Sequence, residues 1–134
     1  MARERNDRPL LTQRDAERAK RAILREGMRP SEARDEAFRR MILSVPPGKV
    51  STYGAIAAAA GYPRLHRAVA KLLRSDPVVD RLPWHRIVGA GGDIRLRDHG
   101  AEEQRLRLQM EGVSFRGDRV DLSRCVHCLA PWEG

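Results

Sequence analysis

The run Ala55-Ile56-Ala57-Ala58-Ala59-Ala60, closed by Gly61 and followed by Pro63, constrains the fold of this chain most strongly. Small apolar side chains let a second helix come close. A glycine just past a helix ends it, and a proline just beyond suits the start of the next. Ser51 reads as the cap of a helix over Thr52–Ala60, and Pro63 as the opening of another that runs to about Arg74, stopped by Asp76-Pro77. Two short helices joined by a glycine-containing turn make a helix-turn-helix pattern. In the second helix Leu65, Val69, Leu72 and Leu73 form the buried face, and Arg64, Arg67, Lys71 and Arg74 the exposed one.

The rest of the chain is organised around this pair. Thr12–Glu26 reads as a helix with a thin apolar stripe (Ala16, Ala19, Ile23, Leu24), suited to docking on a larger body. Pro30-Ser31 starts another helix, with Phe38, Met41 and Ile42 on its apolar face, and Val45-Pro46-Pro47-Gly48 breaks it near Ser44. Arg86–Val88 and Ile94–Arg97 read as two strands of a loose hairpin turning through Gly89-Ala90-Gly91-Gly92. Ala101–Glu111 reads as a last helix with Leu106, Leu108 and Met110 apolar, ended by Gly112; Val120-Asp121-Leu122 has short strand potential. The expected class is mainly α, a winged-helix-like domain with a helix-turn-helix and a small β-hairpin. The expected division is a helical arm over 1–30, the domain proper over 31–123 and a tail over 124–134.

Charge narrows the partner. The formal net charge of the 134 residues is +8. Residues 45–100 hold nine Lys/Arg against four Asp, whereas residues 101–134 hold five Arg against six acids. The excess in the middle points to a polyanion, with nucleic acid ahead of a membrane surface; the competing reading is a solvated arginine-rich exterior. No apolar run approaches the length of a membrane span, and Met1–Arg8 is too polar for a signal peptide, so a cytoplasmic, nucleoid-associated protein is expected. Cys125 and Cys128 form a C-x-x-C, half of a zinc site whose other half is missing; they read as incidental thiols, and no metal or cofactor is implied.

The central motifs come in one order: Pro46-Pro47-Gly48-Lys49-Val50-Ser51-Thr52-Tyr53-Gly54, Arg67-Ala68-Val69, Pro83-Trp84-His85-Arg86-Ile87-Val88 and Glu111-Gly112-Val113. Together they resemble the C-terminal DNA-binding domain of O6-alkylguanine-DNA alkyltransferases, from about Phe38 to Gly112. Those enzymes carry a cysteine before the His-Arg, and its thiol accepts the alkyl group. Trp84 stands there in this chain, and an indole has no ionisable thiol. Pro-Trp-His-Arg is the mark of the alkyltransferase-like proteins, which bind O6-alkylguanine without repairing it and direct it to nucleotide excision repair.

The resemblance implies roles. Arg67 becomes the finger that fills the gap left by a flipped nucleotide, since base extrusion costs stacking energy that a planar guanidinium can restore. Tyr53 becomes the residue pressing on the target phosphate; its alternative is a half-buried tyrosine closing the helix pair. Ala68 and Ala70 suit close approach to a minor groove, and Arg64 and Lys71 suit phosphate contacts. Pro83, Trp84, His85, Arg97 and Glu111 become the lesion pocket, in which His85 and Glu111, with no thiol to activate, support its walls. Trp84 either plugs the space of the absent cysteine or forms a wall. Arg97 is the arginine that would face the flipped guanine, and Arg95, on the same face of the expected strand, stays open as its competitor. The implied partners are duplex DNA containing O6-alkylguanine and excision-repair proteins, with the chain acting as a monomer. Alternatives are an active alkyltransferase using Cys125 or Cys128, and a winged-helix transcription regulator.

Overall fold

The computed structural model describes residues 29–76 and 79–130. The helix expected over Thr12–Glu26, the stop at Pro77 and the last four residues lie outside the described residues. The elements run in the order α1 (Pro30–Leu43), β1 (Ser51–Thr52), α2 (Tyr53–Ala59), α3 (His66–Ser75), β2 (Ile87–Val88), α4 (Asp98–Met110), β3 (Phe115–Arg116), β4 (Arg119–Val120) and α5 (Leu122–Cys125). Short 3-10 turns cover Val79–Arg81, Trp84–Arg86 and Ala90–Gly92.

Pro30 opens α1, where its fixed φ costs nothing, and the Glu32 carboxylate accepts the Arg29 N–H at 2.8 Å. The helix lays Ala37, Phe38, Met41 and Ile42 against Ile56, Ala57 and Ala60 of the alanine-rich segment and Val69 and Leu72 of α3; Leu82 and Ile87 complete this first core. A second core joins Val50 and Val88 to Leu108, Val113, Val120 and Cys125. The two cores meet along a short parallel pairing of β1 with β2, in which Ser51 faces Ile87 and Thr52 faces Val88. Burial of β2 on both faces follows from this position between the cores.

The alanine-rich helix ends as its glycine requires. Gly61 lies at φ +95°, its N–H donates to Ala58 O at 3.0 Å, and the Tyr62 N–H donates to Ala57 O at 2.9 Å. This is a Schellman closure, which turns the chain sharply and brings α3 across α2. The same pattern ends α4: the N–H groups of Gly112 and Val113 donate to Gln109 O and Leu108 O.

The fold is mainly helical, with the helix-turn-helix in place, but several local expectations need correction. Ser51 is buried in β1, and the cap of α2 is Thr52, whose Oγ1 accepts the Ala55 N–H at 3.0 Å. Pro63 does not open α3; the helix begins at His66, because Arg64 has a left-handed backbone (φ +78°) that no α-helix accommodates. The hairpin expected over Arg86–Arg97 does not form. Its first strand is taken by β1 as a parallel partner, Ala90–Gly92 is a 3-10 turn, and 94–97 is irregular. The small hairpin of the fold is instead antiparallel β3–β4, with Phe115 facing Val120 and Arg116 facing Arg119. In α4, which starts at Asp98, Leu106 and Met110 are 56% and 78% exposed, while Gln104 and Leu108 face inward.

The segment after residue 123 is tied into the second core. Cys125 is buried, its Sγ accepts the Ser114 N–H at 3.2 Å, and Val50 bridges to Val126. Cys128 is exposed. Among the described residues no group of three His, Cys, Asp or Glu side chains is placed to hold a metal ion, and no helix is long and apolar enough to cross a membrane.

Candidate nucleic-acid interface

Two parallel strands that end together leave a crevice at their carboxyl ends, where the chains diverge. In this protein Tyr53 follows Thr52 and Gly89 follows Val88, so the register of β1 with β2 sets these two residues at one end of the pair. A cleft of about 790 Å³ opens there, lined by Thr52, Tyr53 and Gly54 from the start of α2, His66, Arg67, Ala70 and Arg74 from α3, and Gly89, Ala90 and Arg95 from the loop after β2. The α3 contribution is a single stripe at helical spacing, and Val69 and Leu72 on the other side of the helix are buried.

The cleft is basic. Arg67, Arg74 and Arg95 line it and no carboxylate does. Arg95 pairs with Asp93 at 3.1 Å and lies across Gly89; a Cβ on Gly89 would collide with the Arg95 side chain, so glycine is what lets this arginine pack against the loop. Burial pushes the Tyr53 phenol above its ordinary pKa, against the pull of Arg95 and Arg74, so at neutral pH it is an uncharged O–H donor in a positive surrounding.

The sequence-derived candidates separate into two groups. Tyr53 and Arg67 line the cleft. So does Ala70, whereas Ala68 is half-buried and packs against the first core. Lys71 and Arg64 are exposed outside the lining, Arg64 on the turn before α3. Of the two loop arginines left open, Arg95 lines the cleft; Arg97 is the exposed residue preceding α4. The resemblance points to Arg97, and an expected strand through both residues leaves Arg95 open beside it; 94–97 forms no strand, so the two need not share a face.

Pro83, Trp84, His85 and Glu111 are not among the cleft-lining residues. Pro83 precedes the 3-10 turn that carries Trp84 and His85. The Trp84 ring stands edge-on to His85 with centroids 6.0 Å apart, and the Arg107 guanidinium lies 5.2 Å from its centroid. Glu111, the cap of α4, is aimed by the Schellman turn at this group. Its Oε2 lies 2.8 Å from His85 Nε2 and accepts Arg86 Nη2 at 2.8 Å, while its Oε1 accepts Arg86 Nε at 3.0 Å and the Gly48 N–H at 3.1 Å. Arg86 Nη1 also donates to Val45 O at 2.9 Å. Burial acts to raise the Glu111 pKa, but the hydrogen bonds from Arg86, His85 and Gly48 outweigh it and hold the carboxyl at about 2. Gln104, buried, donates to the carbonyls of His85 and Ile87. The network fastens the Pro-Pro-Gly turn, the Trp84–Arg86 turn and the end of α4 to one another. It was legible only in part: His85 and Glu111 stood out, but nothing in the sequence singled out Gln104.

Comparison with known proteins fits this geometry. Residues 33–113 match the model of the family described as 6-O-methylguanine DNA methyltransferase, DNA binding domain. The chain is 36% identical over 100 residues to a DNA base-flipping protein of Escherichia coli, covering 74% of this chain and 78% of that protein. It is 42% identical over 86 residues to alkyltransferase-like protein 1 of Schizosaccharomyces pombe, 60% of this chain and 80% of that one. Among solved structures it is similar to S. pombe Atl1 in complex with damaged DNA containing O6-carboxymethylguanine, with a TM-score of 0.66 at 30% identity, covering 75% of this chain and 99% of that one. The chain belongs to the family of 6-O-methylguanine DNA methyltransferase DNA-binding domains, as one of its alkyltransferase-like members.

Proposed function

We propose that the protein binds duplex DNA carrying an O6-alkylated guanine, turns the modified nucleotide out into the cleft beside Tyr53 and fills its place in the stack with Arg67, without transferring the alkyl group. The observation that carries this reading is the acid-free cleft bounded by Tyr53, Arg67 and Arg95, at the exposed face of the second helix of a helix-turn-helix. A basic helix flanked by a crevice offers both what phosphates need and what an extruded base needs. The neutral Tyr53 hydroxyl can donate to a phosphate oxygen, and the Arg95 guanidinium offers a flat cation to a purine face.

The absence of transfer follows from the residue types. Trp84 stands at the acceptor position of the resemblance, and the His85–Glu111 pair has no thiol beside it to deprotonate. Neither tail cysteine lines the cleft, and Cys125 is buried in the second core, which speaks against an enzyme using either. A protein that holds a lesion and cannot remove it needs a second system to act, so hand-over to nucleotide excision repair, by a protein acting as a monomer, belongs to the same proposal. The test is incubation with duplex DNA bearing a labelled methyl group on guanine O6. Reversible binding that prefers the lesion, with all label left on the DNA, is the expected result. Label on the protein would make it an enzyme, and equal binding to undamaged DNA would favour a transcription regulator.

A further inference from the structure

The β3–β4 hairpin has a feature that folding alone does not call for. Arg116 and Arg119 are direct cross-strand partners, both exposed, and like charges placed opposite each other oppose pairing. Neither has a carboxylate within ion-pair distance among the described residues, whereas all three arginines of α1 are paired: Arg34 with Asp35, Arg39 with Asp76 and Glu36, Arg40 with Glu36. The nearby acids make no ion pair with them: the Asp121 carboxylate feels the Arg116 charge but is hydrogen-bonded by the Ser123 N–H and hydroxyl, and among the described residues Asp118 at the loop tip pairs with neither arginine.

The hairpin is also fixed to the rim of the cleft. A Cβ on Gly92 would collide with Val120 O, so the Ala90–Gly92 turn and β4 touch backbone to backbone. A Cβ on Gly91 would lie 2.9 Å from Arg119 Nη1, so the Arg119 guanidinium rests on that same turn, whose Ala90 lines the cleft. At the other strand, Arg105 of α4 stacks 5.2 Å from the centroid of Phe115, and Val120 is buried in the second core. Anchored this way, the hairpin presents two unpaired guanidinium groups beside a cleft already lined by three arginines.

We propose that β3–β4 is a second DNA-contacting element, whose Arg116 and Arg119 grip the phosphate backbone beside the cleft while α3 engages the duplex. This rests on the DNA-binding reading above, but its failure is separable from the failure of that reading. The contacts carry no base or lesion information, so they add affinity without preference. The experiment measures affinity against salt for lesion-bearing and undamaged duplexes with the wild type, the Arg116→Ala/Arg119→Ala variant, the corresponding double lysine variant, and Arg40→Ala as a control that removes an ion-paired arginine from α1. Each phosphate contact contributes about 0.9 to the slope of log affinity against log salt, so the double alanine variant loses about 1.8. The expected result is a matched loss on both duplexes with the lesion preference unchanged, retention of the slope by the lysine variant, and no change in Arg40→Ala. An unaltered slope in the alanine variant, or an equal loss in Arg40→Ala, overturns the proposal even if lesion preference holds; a wild type with no lesion preference overturns the other reading and leaves this slope test standing.

Discussion

The Arg86 guanidinium and the Glu111 carboxylate meet through paired contacts, Nη2 to Oε2 at 2.8 Å and Nε to Oε1 at 3.0 Å, with His85 and the Gly48 N–H on the same carboxylate. Both side chains are largely buried. Removing one partner leaves the other charge in a poor solvent, so Arg86→Ala is expected to cost roughly 3 kcal/mol of stability. Urea unfolding of the variant and wild type measures this, and a cost below about 1 kcal/mol would assign the pair to the exposed class.

The same carboxylate predicts a pH dependence. Its folded pKa of about 2 lies below the ordinary 4.5, so the unfolded chain binds the proton more readily. The stabilisation is complete above the unfolded value and is lost as pH falls from about 4.5 towards 2. Glu111→Gln is expected to lower stability at neutral pH and flatten this acid limb. Thermal melting across the window reads both effects, and an acid limb as steep in the variant as in the wild type would place the titration elsewhere.

For Arg67 the structure offers exposure without a fold contact: it lines the cleft and has no ion-pair partner among the described residues. Arg67→Ala is therefore expected to leave the melting temperature nearly unchanged while costing lesion binding about 1–3 kcal/mol, the range for one stacking contact. A fluorescent base analogue beside the lesion should brighten with the wild type and far less with the variant. Equal brightening and equal affinity would make Arg67 one more surface arginine.

How much of this was legible depends on the length scale of each cause. The helix-turn-helix follows from Ala55–Ala60, Gly61 and the spacing of Val69 and Leu72, all local signals. The motif order carried Tyr53, Arg67, His85 and Glu111 into view. The hairpin was misplaced because Ile87-Val88 followed by glycines looks like half of a local turn, while its real partner, Ser51-Thr52, lies 36 residues away in register. A two-residue parallel pairing leaves no period to read. Glycines 89 and 92 do sit in a turn, as the sequence suggests, but they are also sites of close approach, to Arg95 and to Val120, which only the packed chain reveals.

That packing favours Arg95 over Arg97 for the proposed base contact. Arg95 lies across Gly89 inside the cleft and is the larger of two guanidinium influences on Tyr53, opposing the rise that burial imposes on the phenol. Arg97 is exposed at the start of α4, outside the lining. Arg95→Ala is expected to weaken lesion binding by about 1–3 kcal/mol if its guanidinium stacks on the extruded base. Arg97→Ala should leave lesion preference intact and change only the salt-dependent affinity shared with undamaged DNA. An independent readout needs no DNA: with the Arg95 charge removed, burial acts less opposed, so the Tyr53 phenol should ionise at higher pH, a shift visible in phenolate absorbance when Tyr62→Phe removes the other tyrosine. Arg97→Ala should not move that titration. Loss of lesion preference in Arg97→Ala with Arg95→Ala unaffected would reverse the assignment and require the 94–97 segment to rearrange when DNA binds.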